Sequence, residues 1–195
     1  LKAISEGTLG YYNQVAEQFW HGTKDHDVSQ NRHAVVEAIE GDGPHTLLDF
    51  GCGPGTITND LAEHLLPEGS VVGIDSSEVV IAQANASAVE KGISNVKFEA
   101  NSIYDTGYDD ESFDAAYAHQ VLQHLSEPVR ALIEAKRVLN PGVICAVREV
   151  DWGTSAIWPK DERLTAFLDV YYRVAEKNGG DAHAGRRLKG WFVEA

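Results

Sequence analysis

Between residues 46 and 150, short apolar runs alternate with stretches of helical periodicity. The runs are Thr46–Phe50, Val71–Asp75, Asn95–Glu99, Ser112–Ala118 and Val143–Val150, and turn-forming or polar residues bound them. Thr56–Leu66, Ser77–Lys91 and Glu127–Leu139 instead carry apolar residues three and four positions apart. Gly92 closes the second of these, and Pro128 sits where a first-turn proline is tolerated. Pro141-Gly142 reads as the turn into the last strand. Strands alternating with helices build parallel βαβ units. The pattern therefore predicts an α/β fold: a Rossmann-like, open, mainly parallel sheet with helices on both faces. The nearly unbroken apolar run Val71–Ile74 fits a strand covered on both sides.

The flanks have a different rhythm. Tyr11–Trp20 has helical spacing, His21–Asp27 is a polar loop, and Val28–Ile39 is helical again, with Val35, Val36 and Ile39 as its stripe. Residues 1–44 are thus expected to form a helical cap on a core spanning 45–150. Beyond Val150, Trp152–Pro159 reads as a loop or lid, followed by helices over Leu164–Lys177 and Leu188–Ala195. Open sheets of this type commonly carry further strands. The segment 151–195 is therefore expected to be an incomplete C-terminal part of the same domain.

The chain has 195 residues, of which 43% are hydrophobic, enough for one domain with a sizeable core. Its formal charge of −14 argues against nucleic acid as a partner. Arg186, Arg187 and Lys189 are its tight basic cluster and read as a solvated helix end. No window approaches 18 uncharged apolar residues, so no membrane span is expected. Two cysteines, Cys52 and Cys145, do not make a disulfide scaffold, which fits the cytoplasm. His21, Asp25, His26 and Asp27 crowd together without a zinc-site spacing, so no metal is expected.

The most informative segment is Asp49-Phe50-Gly51-Cys52-Gly53-Pro54-Gly55-Thr56, between a predicted strand and a predicted helix. Its glycines let the backbone turn sharply and approach a ligand closely. No Lys-Ser or Lys-Thr follows, as a triphosphate-binding loop would need. The spacing is G-x-G-x-G, not the G-x-G-x-x-G of dinucleotide loops. An acid at Asp49 would repel a pyrophosphate but suits the amino group of an amino acid. Asp75, ending the next strand, can accept both hydroxyls of a ribose. Acid, glycine turn and acid together fit an adenosine whose far end carries an amino acid, S-adenosylmethionine (SAM). A plain strand–helix turn, or an NAD-dependent oxidoreductase with an atypical loop, is the alternative.

These residues resemble the class I SAM-dependent methyltransferases, of the small-molecule type found in ubiquinone and menaquinone biosynthesis. The resemblance runs from about Leu47 to Arg148, and more loosely to Ala195. Leu47–Thr56 resembles the family's first motif and Gly73-Ile74-Asp75-Ser76 its ribose motif. Asp109–Asp114 leading into Ala118–Leu125 resembles its fourth-strand motif, and Arg137–Gly142 the approach to its fifth strand.

The resemblance implies a strand order of 3-2-1-4-5, with further strands absent from this sequence. It places Asp49, Gly51, Cys52, Gly53 and Gly55 beside the methionine moiety, and Asp75 with Ser76 at the ribose. Asn101-Ser102-Ile103 would border adenine, with Ser102 standing where many relatives have an acid. The N-terminal segment would close over the cofactor, bringing Tyr12, with Tyr11 and Trp20, to the pocket. The implied reaction is in-line transfer of the SAM methyl group to an O, N or C atom of a small organic metabolite, leaving S-adenosylhomocysteine (SAH). A SAM-binding protein without turnover is the other reading. An oxygen or nitrogen acceptor needs its proton removed, and histidine suits this. The family pattern sets His119 against the cofactor, which makes His124 the preferred base and His119 the second candidate. The same order puts the fourth strand between Cys52 and Cys145, so they are not expected to pair. Trp152, Trp158, Phe167, Tyr171 and Trp191 are candidate walls for the acceptor.

Overall fold

A computed structural model describes residues 10, 13, 14, 17, 21, 29–39, 43–65, 68–156 and 158–195. Five strands make one sheet: β1 Thr46–Phe50, β2 Ser70–Asp75, β3 Val96–Ala100, β4 Phe113–His119 and β5 Leu139–Arg148. Their order is β3-β2-β1-β4-β5 and every pairing is parallel. The Rossmann-like sheet and its order are those expected from the sequence.

The helices are α1 Ser29–Val36, α2 Thr56–His64, α3 Glu78–Lys91, α4 Pro128–Val138, α5 Glu162–Lys177 and α6 Ala184–Glu194. Short 3-10 turns occupy Leu122–His124 and Trp152–Thr154. Local chemistry sets several of the ends. The Ser77 hydroxyl accepts from Val80 N at 3.2 Å and caps α3, and Gly92 closes it in the left-handed conformation. Pro128 opens α4, where its missing N–H leaves no bond unmade.

Alternation along the strands divides the core. Leu47, Val71, Ala115 and Tyr117 face Val35 of α1 and Leu61 and Ala62 of α2. Phe98 turns the same way, onto Ile81, Ala84 and Ala88 of α3. Leu48, Phe50, Ile74, Ala116 and Ala118 point oppositely and pack with Ala135 and Val138 of α4. Burying both faces explains why these strands read as almost continuous apolar runs.

Two elements start four residues earlier than the sequence predicts. Strand β5 begins at Leu139, directly after α4, rather than at Val143. The pairing jumps from Phe113–Leu139 to Ala115–Ile144, so Pro141-Gly142 forms a bulge inside the strand rather than a turn before it. Asn140 Nδ2 donates to Asp114 Oδ1 at 2.9 Å and ties down the start of the bulge. Helix α6 begins at Ala184, four residues before the expected start at Leu188. Its first turn lies on the chain leaving β5, where Gly185 N donates to Val150 O at 3.0 Å and Trp152 N to Ala182 O at 3.0 Å. The arginines there stay exposed at the start of this helix, as expected of a solvated helix end, and each is ion-paired. Arg186 pairs with Asp151 at 2.7 Å and Arg187 with Asp181 at 2.7 Å.

Helix α5 buries none of its residues, and Leu164, Phe167, Val170 and Val174 stand exposed along it. Among the described residues, no helix is long and apolar enough to cross a membrane.

Candidate active site

The carboxyl end of β1 runs into a turn hung on β2. Gly51 N and Cys52 N both donate to Ile74 O, at 2.8 and 2.9 Å, and Gly55 N donates to Cys52 O at 3.1 Å. Gly53 has φ +54, and a Cβ there would meet nothing within 4 Å. Its backbone thus faces open space in a conformation that side chains rarely adopt. Asp75, last in β2, closes the turn: its Oδ2 accepts from Gly53 N at 3.2 Å and its Oδ1 from Ser77 N at 3.0 Å. Burial raises its pKa, and the N–H groups of Ser77, Gly53 and Ser76 offset part of that rise. Ser77 Oγ also donates to Asn13 Oδ1 at 2.5 Å, which places Asn13 at this corner.

Asp49 is buried beneath the turn, with 3% of its surface exposed. Its Oδ2 accepts from Thr58 Oγ1 at 2.6 Å. Burial pushes its pKa up to about 7; the Thr58 bond lowers it, and the charge of Asp75 raises it. Strand register sets Tyr117 of β4 level with Asp49. The Tyr117 hydroxyl is buried and has no hydrogen-bond partner among the described residues. Cys52 is buried, donates to Gly53 O at 3.5 Å and has its thiol pushed up by burial and by both aspartates. It is therefore held as the neutral thiol.

The turn after β3 forms the next wall. Asn101 N donates to Asp75 O at 2.9 Å, and its side chain spans the loop, giving Nδ2 to Thr106 O and taking Ser102 N on Oδ1. Ser102 Oγ accepts from Tyr104 N at 3.2 Å. Thr106 is fixed in turn by Glu134 Oε1, which takes its N–H at 2.8 Å and its hydroxyl at 2.7 Å. Asn101 is committed to this loop, whereas the Ser102 hydroxyl keeps its own proton to give.

At the end of β4, the half-buried His119 stacks on Tyr117, ring centres 6.3 Å apart and planes 14° apart. Burial first, then the charge of Arg148, lowers its pKa. His124 lies further on, in the 3-10 turn, and burial pushes its pKa down to about 4. Between them Gln120 holds the left-handed φ of +57, fixed by its N–H on Arg148 O at 2.8 Å. Glu149, just past β5, accepts from Val121 N at 2.7 Å and Leu122 N at 2.6 Å, both on Oε1. Val121 in turn fills the space over Gly51, where a Cβ would lie 2.5 Å from its Cγ2. Among the described residues, no group of His, Cys, Asp and Glu could hold a metal ion.

A family model described as a methyltransferase domain matches residues 43–183, the sheet and every wall of this site. The chain belongs to that family. This methyltransferase domain is 36% identical over 155 residues to an uncharacterized methyltransferase of Schizosaccharomyces pombe, covering 76% of this chain and 55% of the relative. It is 33% identical over 102 residues to the demethylmenaquinone methyltransferase of Lactococcus lactis, covering 51% of this chain and 40% of the relative. Among solved structures, the [4+2]-cyclase SpnF matches with a TM-score of 0.67 and 29% identity, over 87% of this chain and 72% of that one. The chain spans about half the length of the curated relatives it matches.

The methyltransferase domain thus brings Asp49, Gly51, Cys52, Gly53, Gly55, Asp75 and Ser76 to one corner of the sheet edge, with Asn101, Ser102 and Ile103 beside it. His119 lies on the β4 side of that edge, and His124 is set back in the following turn. Cys52 and Cys145 are both free, as expected. Tyr12, with Tyr11, Trp20, Asp25, His26 and Asp27, falls outside the described residues. Sequence reading missed Thr58, Tyr117 and Glu149. A tyrosine in an otherwise small-residue strand, and an acid closing an apolar one, were the signals available.

Proposed function

We propose that this domain binds SAM and transfers its methyl group to an O, N or C atom of a small organic metabolite by in-line displacement. The pair of buried carboxyls on either side of the glycine turn carries this reading. Asp49, desolvated under the turn, is stabilised in its ionised form by a cationic amino group. Asp75, held by Gly53 N and Ser77 N at the tip of β2, is placed for ribose hydroxyls. The open space over Gly53 and the unpartnered Tyr117 hydroxyl fit a ligand lying along this edge. Bound SAM supplies a methyl group already activated by its sulfonium. The protein's part is then to align and desolvate.

Where the acceptor carries a proton, a neutral imidazole must take it. His119 and His124 both stay neutral near pH 7. We favour His119, at the end of β4, over His124, because burial pushes the His124 pKa down to about 4, a poor match for a hydroxyl. The adenine wall is Asn101-Ser102-Ile103, with Ser102 as its free hydroxyl. The lid region, residues 151–195, faces the acceptor. The free cysteines fit the reducing cytoplasm, and the acidic charge fits a small-molecule partner rather than nucleic acid.

The test is calorimetric titration of the protein with SAM, SAH and NADH, alongside Asp75→Ala. Saturable SAM and SAH binding, lost in the variant, with none for NADH, is the expected result. No binding of either sulfur ligand to the folded protein would overturn the reading. Because SpnF is named a cyclase, methylated product has to be followed as well as binding.

A further inference from the structure

Asp49 and Thr58 stand on opposite sides of the glycine turn, Asp49 in β1 before it and Thr58 in the first turn of α2 after it. The bond from Thr58 Oγ1 to Asp49 Oδ2, 2.6 Å long, clips the two together. Both residues are buried, Thr58 completely. A helical threonine often returns its hydroxyl proton to a carbonyl of the preceding turn. Thr58 has one proton to give, and Asp49 receives it. Asn59 N donates to Gly55 O at 2.9 Å, which ties the start of α2, and Thr58 with it, to the turn.

Among the described residues, the titratable groups that face Asp49 are Asp75 at the end of β2, Cys52 in the turn and Tyr117 of β4. None of the three gives it a hydrogen bond. Cys52 donates to Gly53 O, the Tyr117 hydroxyl has no partner among the described residues, and Asp75 repels it. Burial works against the Asp49 charge, and the Thr58 bond works for it. A carboxylate has two oxygens, so one can be fixed by the protein while the other meets a ligand.

We infer that Thr58 is a positioning residue of the cofactor site: holding Asp49 Oδ2 from α2, it turns Oδ1 to the amino group of the SAM methionine moiety. The inference rests on the methyltransferase reading. Thr58 touches neither cofactor nor acceptor and acts through Asp49. It serves the amino-acid half of the cofactor, whereas Asp75 and the turn after β3 serve the adenosine half. With the Thr58 bond in place, Asp49 ionises at about pH 7. Without that bond its charge forms only at higher pH, so a cationic amino group is held less well below that point.

The probes are SAH and 5′-methylthioadenosine, which keeps the adenosine and lacks the amino acid, titrated calorimetrically between pH 6 and 8.5. Asp75 meets the ribose of both, so the ratio of their affinities isolates Asp49. In the wild-type protein, SAH affinity should rise relative to methylthioadenosine as pH passes about 7. Thr58→Val replaces the hydroxyl with a methyl group of like size. It should move that rise upward by about one pH unit, as expected for loss of a hydrogen bond to a charged group. At pH 6.5 this is about a tenfold loss of SAH affinity, with methylthioadenosine within twofold. Thr58→Ser keeps the hydroxyl and drops the methyl, and should restore both the affinity and the pH midpoint. A packing role predicts the reverse order, because serine leaves the cavity. An unshifted SAH profile in Thr58→Val, an equal loss of both ligands, or a serine variant as weak as the valine one would overturn the role of Thr58 and leave the methyltransferase reading intact. Failure of the wild-type protein to bind SAH would overturn both.

Discussion

The two sides of the site are held by different means. On the β1–β2 side the backbone holds the shape: Gly51, Cys52 and Gly55 hang on main-chain carbonyls, and Asp75 takes main-chain N–H groups. On the β5 side main-chain bonds such as Gly185 N to Val150 O are joined by side-chain pairs far apart in sequence, such as Gln123 with Tyr171 and Arg186 with Asp151. Backbone bonds constrain which residues can make a turn but little of what surrounds it. Side-chain contacts can be exchanged one pair at a time. A scaffold built this way keeps one ligand corner fixed while the opposite corner is free to change its chemistry.

The comparison is broken most directly at Asp75. Asp75→Ala leaves Gly53 N and Ser77 N without their carboxylate and removes the proposed ribose acceptor. Two charge-assisted bonds of this kind correspond to about a 100-fold loss of SAH affinity, or about 2.7 kcal/mol. Calorimetry measures it, and a loss below threefold would mean that the turn, not the acid, recognises the ligand.

Next in size is Gly55→Ala. Gly55 has φ +78, and a Cβ there would sit 2.7 Å from Phe98 Cζ and 3.1 Å from Ala84 Cβ. Strained backbone and overpacking together should cost about 2–3 kcal/mol in urea unfolding. A cost within 0.5 kcal/mol, on the order of a surface change, would show the turn to be plastic.

Glu134→Ala tests the loop behind the adenine wall. Bonds from Arg137 and Thr106 hold the Glu134 carboxyl at about 2, well below its ordinary 4.5. A depressed folded pKa gives stability that is complete above pH 4.5 and is lost as pH falls toward 2. The variant should lose about 2 kcal/mol at pH 7, allowing for the part-exposed Arg137, and the difference should vanish near pH 2. Chemical denaturation across that range decides it.

Asp49→Asn runs the other way. The folded pKa of about 7 lies above the ordinary 3.8, so ionised Asp49 destabilises the ligand-free protein increasingly as pH rises from about 4 through 7. Asparagine keeps an acceptor for Thr58 without the charge. It should stabilise the ligand-free protein at pH 8 by about 1–2 kcal/mol, add nothing near pH 3, and weaken SAM binding. A variant less stable at pH 8 would show that the charge is compensated inside the site.

This contrast also governs what the sequence could reveal. The glycine turn, Asp49 and Asp75 were legible because their chemistry lies within one βαβ unit, in contiguous residues. Tyr117 reaches Asp49 only through the β1–β4 register, across 68 positions of sequence (117 − 49), which no local pattern encodes. Glu149 meets Val121 and Leu122 only once β5 lies beside β4. Pro141-Gly142 looked like a turn because that is its usual place; the edge position of β5 leaves room for it as a bulge. Helix α6 started early because Gly185 fits against Val150, a contact that apolar periodicity does not report.

The smallest expected effect is the sharpest test of where the acceptor wall ends. Phe167 lies on the apolar stripe of α5, 53% exposed, with its ring centre 6.2 Å from that of Tyr171. If the wall stops at Tyr171, Phe167→Ser removes little buried surface and changes stability by less than about 0.5 kcal/mol. Thermal unfolding reports it. A loss above about 1 kcal/mol would mean that the α5 stripe is packed in solution. The β5 side would then be as firmly built as the glycine turn, and the division between a fixed and an exchangeable corner would not hold.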